Sequence, residues 1–277
     1  MIAVLGAAGQ LGTAFMRRLG ERATPITRKE LDLADPESIH EWVKTTRPSL
    51  IINCAAYTAV DEAESNEAQA KAINTNAVRT LAEESERCGA RFVTFSTDYV
   101  FDGTKATGYV ESDATNPLSV YGRTKRDGER LALIRNPNSL IIRTSWLLSG
   151  TLPNFVSTML KLMRKGPVRV VNDQRGRPTL VDDLARSTLE CVEAGVDGIL
   201  HLANQGEATW YRLARQLASL AGLEPDRVEP CSTEDFPLPA TRPANSVLDS
   251  ERIAPLGISP LPAYSESLRL VVDQLMR

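Results

Sequence analysis

Short aliphatic runs alternate with amphipathic stretches through the first half of the chain. Ile2–Leu5 is an apolar run, and Leu11–Leu19 repeats its apolar positions at helical spacing. Thr24–Thr27 reads as a strand. Asp35-Pro36-Glu37-Ser38 then reads as a helix start, with Asp at the cap and Pro just inside it. Leu50–Asn53 is strand-like, and Glu67–Cys88 reads as one long helix. Arg91–Ser96 is a further strand, Tyr121–Leu133 a helix and Leu140–Thr144 a strand. Continuous aliphatic strands separated by amphipathic helices signal a parallel sheet covered on both faces. After about Leu148 the rhythm changes, and prolines gather at Pro230, Pro237, Pro239 and Pro243. Val168–Val171 and Ile199–Leu202 still read as strands, and Leu180–Ala194 as a helix. The pattern predicts an α/β fold. A doubly wound parallel sheet spans residues 1–148, with return segments near 168–202, and a smaller C-terminal α/β region fills most of 149–277.

Composition narrows the function classes. A length of 277 residues suits one or two domains. Hydrophobic residues at 42% and charged residues at 24% are ordinary for a globular protein. No apolar run approaches the ~18–20 residues of a membrane span. A net charge of −3 gives no general basic surface for nucleic acid. No basic and apolar leader precedes the first strand, so the cytoplasm is the expected location. Four scattered cysteines form no CxxC pair, and His40 and His201 have no neighbouring ligands in sequence. Neither a disulfide framework nor a metal site is expected. Both histidines read as structural.

The first strand runs into Gly6-Ala7-Ala8-Gly9-Gln10-Leu11-Gly12, and a helix follows. This is GxxGxxG, a variant of the dinucleotide-binding fingerprint of Rossmann folds. Gly6 permits the turn, Gly9 lets backbone approach a pyrophosphate, and Gly12 lets helix and strand pack closely. The helix N-terminus adds free N–H groups and partial positive charge. At the end of the second strand stands Thr27-Arg28-Lys29. A basic residue there favours the 2′-phosphate of NADP over the ribose of NAD, so Arg28 points to NADPH, with NADH the alternative. Asp32-Leu33 is placed to hold the adenine. Small residues at Asn53-Cys54-Ala55-Ala56-Tyr57 let a flat cofactor lie against backbone.

Tyr121-Gly122-Arg123-Thr124-Lys125 is YxxxK. Positions i and i+4 share a helix face. A free phenol has a pKa of ~10 and is a poor acid–base catalyst at neutral pH. A cation ~4 Å away at an effective dielectric of ~20 contributes about 4 kcal/mol, or about three pKa units as an upper limit. Lys125 is therefore expected to lower the pKa of Tyr121. Ser96-Thr97 closes the strand before this helix, at the end of the sheet where ligands bind. A hydroxyl there can stabilise a carbonyl oxygen gaining charge. Hydroxyl, Tyr and Lys together fit hydride transfer to or from a carbonyl carbon.

Seven segments extend this reading: GAAGQLG at 6–12, AAYTAVDEAES at 55–65, STDYVFDG at 96–103, NPLSVYGRTKRDGE at 116–129, RTSWLLSG at 143–150, VVNDQRGRPT at 170–179 and RPANSVLD at 242–249. With them the chain resembles the extended short-chain dehydrogenase/reductase superfamily. More closely it resembles the dTDP-4-dehydrorhamnose reductase family. The resemblance implies a Rossmann domain with a smaller C-terminal substrate-binding domain. It implies NAD(P)H-dependent reduction of the C4 keto group of dTDP-4-dehydro-L-rhamnose, with Thr97, Tyr121 and Lys125 as the catalytic set. Gly9, Gln10, Leu11, Asp32, Leu33, Ala55, Ala56 and Tyr57 match cofactor-contact positions. Thr97, Asp98 and Trp146 match sugar-nucleotide contacts, and Arg242 and Asn245 are candidates for the diphosphate or thymidine part. Some family members carry an acidic residue in a magnesium site between subunits. That position is Ala14 here, so magnesium is not expected, and Asp182-Asp183 reads as two acids opening a helix. Asn74 and Asn76 match a superfamily helix asparagine but are given no catalytic role. A homodimer fits the resemblance. Two other readings stay open: a regulatory subunit like the methionine adenosyltransferase β subunit, and a reductase or epimerase of another nucleotide sugar.

Overall fold

The computed structural model describes residues 1–276. Six strands form one sheet in the order Gly198–His201, Leu140–Thr144, Arg91–Thr97, Leu50–Asn53, Ile2–Leu5, Ala23–Ile26. Every pairing in it is parallel. The chain leaves Ile2–Leu5 toward one edge, then crosses back to Leu50–Asn53 on the other side. That reversal opens a crevice at the carboxyl ends of these strands, where open α/β sheets bind ligands.

Period-two alternation sorts the strand residues into two cores. Val4, Ile52, Val93, Phe95, Ile142 and Leu200 face helices Gln10–Leu19 and Val181–Glu193. Ala3, Leu5, Ile51, Phe92 and Ile141 face helices Pro36–Thr46, Val78–Cys88 and Val120–Arg135. Burying each such aliphatic side chain contributes roughly 1.5–3 kcal/mol. Small aliphatic residues suit a sheet covered on both faces, which explains the aromatic content of only 5%.

A third core lies outside the sheet. Helices Phe155–Met163, Trp210–Leu220 and Tyr264–Leu275 close over the two-stranded parallel pair Val168–Val171 and Val228–Cys231. Three expectations change here. Val168–Val171 does not return to the main sheet; only Gly198–His201 does. The second strand is Ala23–Ile26, which places Thr27 in the turn beyond it. The stretch read as one helix over 67–88 is α-helical over Glu67–Lys71 and Val78–Cys88, with a π-helical segment Ala72–Ala77 between. Apolar periodicity averages over such a segment and cannot reveal it. Among the described residues no helix is long and apolar enough to cross a membrane.

Candidate active site

The glycine turn fits a bound dinucleotide. Gly6 has φ +69°, and a Cβ there would lie 2.8 Å from the backbone N of Ala55. A Cβ at Gly12 would lie 2.2 Å from the carbonyl O of Gly6. Gly9 caps the following helix with no side-chain bond, so the first N–H groups stay open to an anion. Two other helices near the crevice are capped by side chains: Ser119 accepts from Gly122 N at 3.1 Å, and Asn154 forms a capping box. A cavity of about 480 Å³ beside Gly6 is lined by Arg28, Asp32, Leu33, Ala55, Ala56 and Tyr57. These are the residues expected to hold the adenosine half. Asp32 already accepts from Ala34 N at 3.0 Å through one oxygen.

A second cavity, of about 600 Å³, continues from Gly6, Gly9, Gln10 and Leu11 to Thr97, Asp98, Tyr121, Lys125 and Trp146. Motifs far apart in the sequence, the glycine turn and the hydroxyl, phenol and ammonium, therefore share one cleft. Thr97 ends its strand and caps the next turn by accepting from Tyr99 N at 3.2 Å. Tyr121 lies in the first turn of helix Val120–Arg135. Gly122 makes that placement possible, because a Cβ there would lie 2.2 Å from the carbonyl O of Tyr99. The Tyr99 and Tyr121 rings meet edge to face, 5.7 Å apart.

Lys125 departs from the expectation. Its Nζ donates to the Phe95 carbonyl at 2.6 Å, and burial lowers its own pKa to about 8. The Tyr121 phenol is not lowered. Burial pushes it up to about 12, against the hydroxyl of Thr97 and with the charge of Asp98 adding to the rise. The cost of placing a phenolate among apolar walls outweighs the charge that spacing alone assigns to it. At neutral pH the Tyr121 phenol therefore keeps its proton.

Two predicted substrate residues sit differently from expectation. The Arg242 guanidinium engages Asp61, so its fork is already occupied by a carboxylate. It still lines a third cavity, of about 780 Å³, with Tyr99, Trp210, Phe236 and Leu238. Asn245 does not face a cleft. It is buried, donates to the carbonyls of Lys105 and Thr107, and accepts from Val247 N. It anchors a loop. Asp182 and Asp183 open helix Val181–Glu193 as expected. Asp182 pairs with Arg17 at 2.8 Å, and Asp183 accepts from Asn204 and Ser267. Among the described residues no His, Cys, Asp and Glu cluster could hold a metal ion.

Other residues matter that spacing does not assign. Asn74, in the π-helical segment, accepts from Tyr57 N at 2.8 Å and donates to Tyr57 O and Thr124 Oγ1. It ties the cofactor-side loop to the Tyr121–Lys125 helix. Its only sequence signal is the superfamily match. Trp146 has φ +47°, and its indole stacks on Trp210 at 3.5 Å. Nothing local in sequence pairs these two rings.

Residues 1–277 match the family described as RmlD substrate binding domain. The chain belongs to the RmlD substrate binding domain family. Among relatives of this RmlD-family chain, a Streptomyces antibioticus protein named probable dTDP-4,6-dihydroxy-2-methyloxan-3-one 4-ketoreductase is 43% identical over 274 residues, covering 96% of this chain and 92% of its own. A Mycobacterium tuberculosis dTDP-4-dehydrorhamnose reductase is 40% identical over 277 residues, covering 96% and 90%. The crystal structure of Bacillus anthracis dTDP-4-dehydrorhamnose reductase in complex with NADP superposes with a TM-score of 0.95 at 34% identity, covering 99% of this chain and 98% of that one. The family resemblance and the α/β Rossmann fold read from the sequence are borne out.

Proposed function

We propose that this RmlD-family protein reduces the C4 keto group of dTDP-4-dehydro-L-rhamnose to give dTDP-L-rhamnose, with NADPH as the preferred donor. The observation that carries the reading is the single cleft holding Thr97, Tyr121 and Lys125 opposite the uncapped glycine turn. NADPH supplies a hydride for C4 when bound. Gly6, Gly9 and the helix N-terminus seat its pyrophosphate, and Arg28 faces the adenosine end. Tyr121 donates its proton to the C4 oxygen. Thr97 stabilises charge on that oxygen, and Lys125 orients the ribose from its hold on Phe95. The region around Trp146 and Arg242 receives the nucleotide part of the sugar, and the reaction belongs to the cytoplasm. A homodimer is the assembly this reading expects, to be checked by light scattering.

The regulatory-subunit reading leaves the assembled acid unused, and the reductase reading accounts for it. A second reading, a 4-keto reductase acting on another dTDP-deoxysugar, is favoured by the 43% identical Streptomyces antibioticus relative. One assay decides. Purified protein is mixed with NADPH and dTDP-4-dehydro-L-rhamnose, and loss of reduced cofactor is followed beside other dTDP-4-keto sugars. Faster turnover of another sugar replaces the substrate, and no oxidation with any sugar removes the enzyme reading. Tyr121→Phe is expected to cost at least ~10²-fold in kcat, with cofactor affinity unchanged.

A further inference from the structure

The helix that carries Tyr121 and Lys125 begins with half a cap. Ser119 accepts from Gly122 N at 3.1 Å. In a full capping box the third helical residue returns a bond from its own side chain. Asn154 and Ser157 make such a pair at the start of helix Phe155–Met163. Here the third residue is Gly122, and packing keeps it a glycine. A Cβ there would lie 2.2 Å from the Tyr99 carbonyl O and 2.9 Å from Pro117 Cβ. The close approach that brings Tyr121 into the cleft therefore removes the side chain that would finish the cap.

The second acceptor comes from elsewhere in the chain. Glu64 Oε1 accepts from Val120 N at 2.8 Å, across 56 positions. A carboxylate suits this place, because a helix N-terminus carries partial positive charge and a charge-assisted bond is a strong one. Glu64 follows the short helix Val60–Ala63. That segment is seated on the first turn of the catalytic helix: Ala63 and Ala70 pack on buried Val120, and Tyr57 and Tyr121 border the cluster. The same segment also holds the sugar side, where Asp61 engages Arg242. Two carboxylates three positions apart thus hold two different parts of the site.

We propose that Glu64 is a positioning residue. By capping Val120 it fixes the first turn of the helix, and with it the place of the Tyr121 phenol against the reacting oxygen. The inference rests on the ketone-reductase reading above. Glu64 lies outside the linings of the three cavities, so its effect passes through Val120 to the neighbouring Tyr121. It exchanges no proton during turnover.

The test compares Glu64→Ala and Glu64→Gln with the wild type. Glu64 is exposed, so truncating it opens no cavity and the variants keep the fold. Steady-state kinetics at saturating NADPH should show kcat for the ketosugar about tenfold lower in Glu64→Ala, the result of a displaced acid. The KM should stay within about twofold, because the clasp at Asp61 is untouched. The amide oxygen introduced by Glu64→Gln still accepts from Val120 N, so that variant should recover to within about threefold of the wild-type kcat. An unchanged kcat in Glu64→Ala, a loss that falls on KM instead, or an equal loss of kcat in Glu64→Gln overturns the proposal. A second measurement needs no substrate. Amide hydrogen exchange, read by mass spectrometry, should be about fivefold faster over residues 119–123 in Glu64→Ala, the usual effect of losing a helix cap. Helix Phe155–Met163, with its own capping box, should exchange as in the wild type. An unchanged rate over residues 119–123 overturns the proposal even if the ketosugar proves to be the wrong substrate.

Discussion

The guanidinium of Arg242 holds both carboxylate oxygens of Asp61, at 3.0 and 2.7 Å. The pair joins the short helix Val60–Ala63, which follows the third strand, to the proline-rich segment that walls the third cavity. Asp61 also accepts from Ala240 N at 3.1 Å, so the segment is fastened at two points. Arg242 keeps the Asp61 carboxyl below its usual pKa.

Asp61→Asn should loosen that wall without touching the cofactor turn. An ion pair at a partly exposed site contributes at most about 1 kcal/mol. The KM for the sugar nucleotide should therefore rise about fivefold, with kcat within twofold. Steady-state kinetics decide it, and an unchanged KM would show that the clasp is structural only.

Glu129 on helix Val120–Arg135 and Arg143 on strand Leu140–Thr144 form a forked pair at 3.0 and 2.8 Å, with each side chain 4% exposed. Glu129 lies one turn beyond Lys125, and its charge favours the ammonium there. Phe101 covers the Arg143 guanidinium at 5.2 Å. Glu129→Gln strands a buried cation and should cost about 3–5 kcal/mol in urea unfolding. Exchanging both partners for apolar residues of similar volume should recover most of that loss. A single variant within about 1 kcal/mol of wild type would contradict the account.

The parts of the site legible in sequence are those that local spacing specifies. Gly6, Gly9 and Gly12 belong to one turn, and Tyr121 and Lys125 to one helix face. Thr97 is legible because strand ends carry ligands in this fold. Contacts across the chain are not. Arg242 meets Asp61 across 181 positions, and no spacing rule announces it. Arg242 reads as a diphosphate ligand because its fork suits one, but the same fork suits a carboxylate equally well. Asn245 misleads for a related reason: its amide serves loop carbonyls as readily as a ligand. The pKa of Tyr121 goes the other way because pair spacing contains no information on burial.

Asp102 ties the loop after the active-site strand. It accepts from Thr104 N, Thr104 Oγ1, Tyr109 Oη and Asn116 Nδ2 at 2.8–3.0 Å. These donors, the Thr104 backbone first, hold its carboxyl far below the ordinary range. A folded pKa below the unfolded ~3.9 gives stability that is present above ~3.9 and is lost as pH falls through the folded value. Thermal melts of the wild type and Asp102→Asn should therefore differ by a constant few degrees from pH 5 to 7. The gap should narrow only below about pH 4. A gap independent of pH down to 2.5 would remove the charge from this explanation.

Gly176 is the floor under Trp146. A Cβ there would lie 2.4 Å from the indole ring, and Trp210, stacked on that ring at 3.5 Å, limits where it can move. Phe155 packs on Trp210 in turn, with ring centroids 4.6 Å apart. The Trp146 backbone is already held at φ +47°, and its carbonyl accepts from Thr179 N at 3.0 Å, so the main chain has little room to adjust. Gly176→Ala should therefore push the indole into the cleft it lines. Displacing a substrate-positioning group by about 1 Å can cost ~10²-fold. We expect kcat/KM for the sugar nucleotide to fall at least about tenfold, with the NADPH dissociation constant unchanged because the glycine turn is remote from the change. The indole's emission spectrum should shift in the same variant. Full activity in Gly176→Ala would mean that Trp146 does not position the substrate.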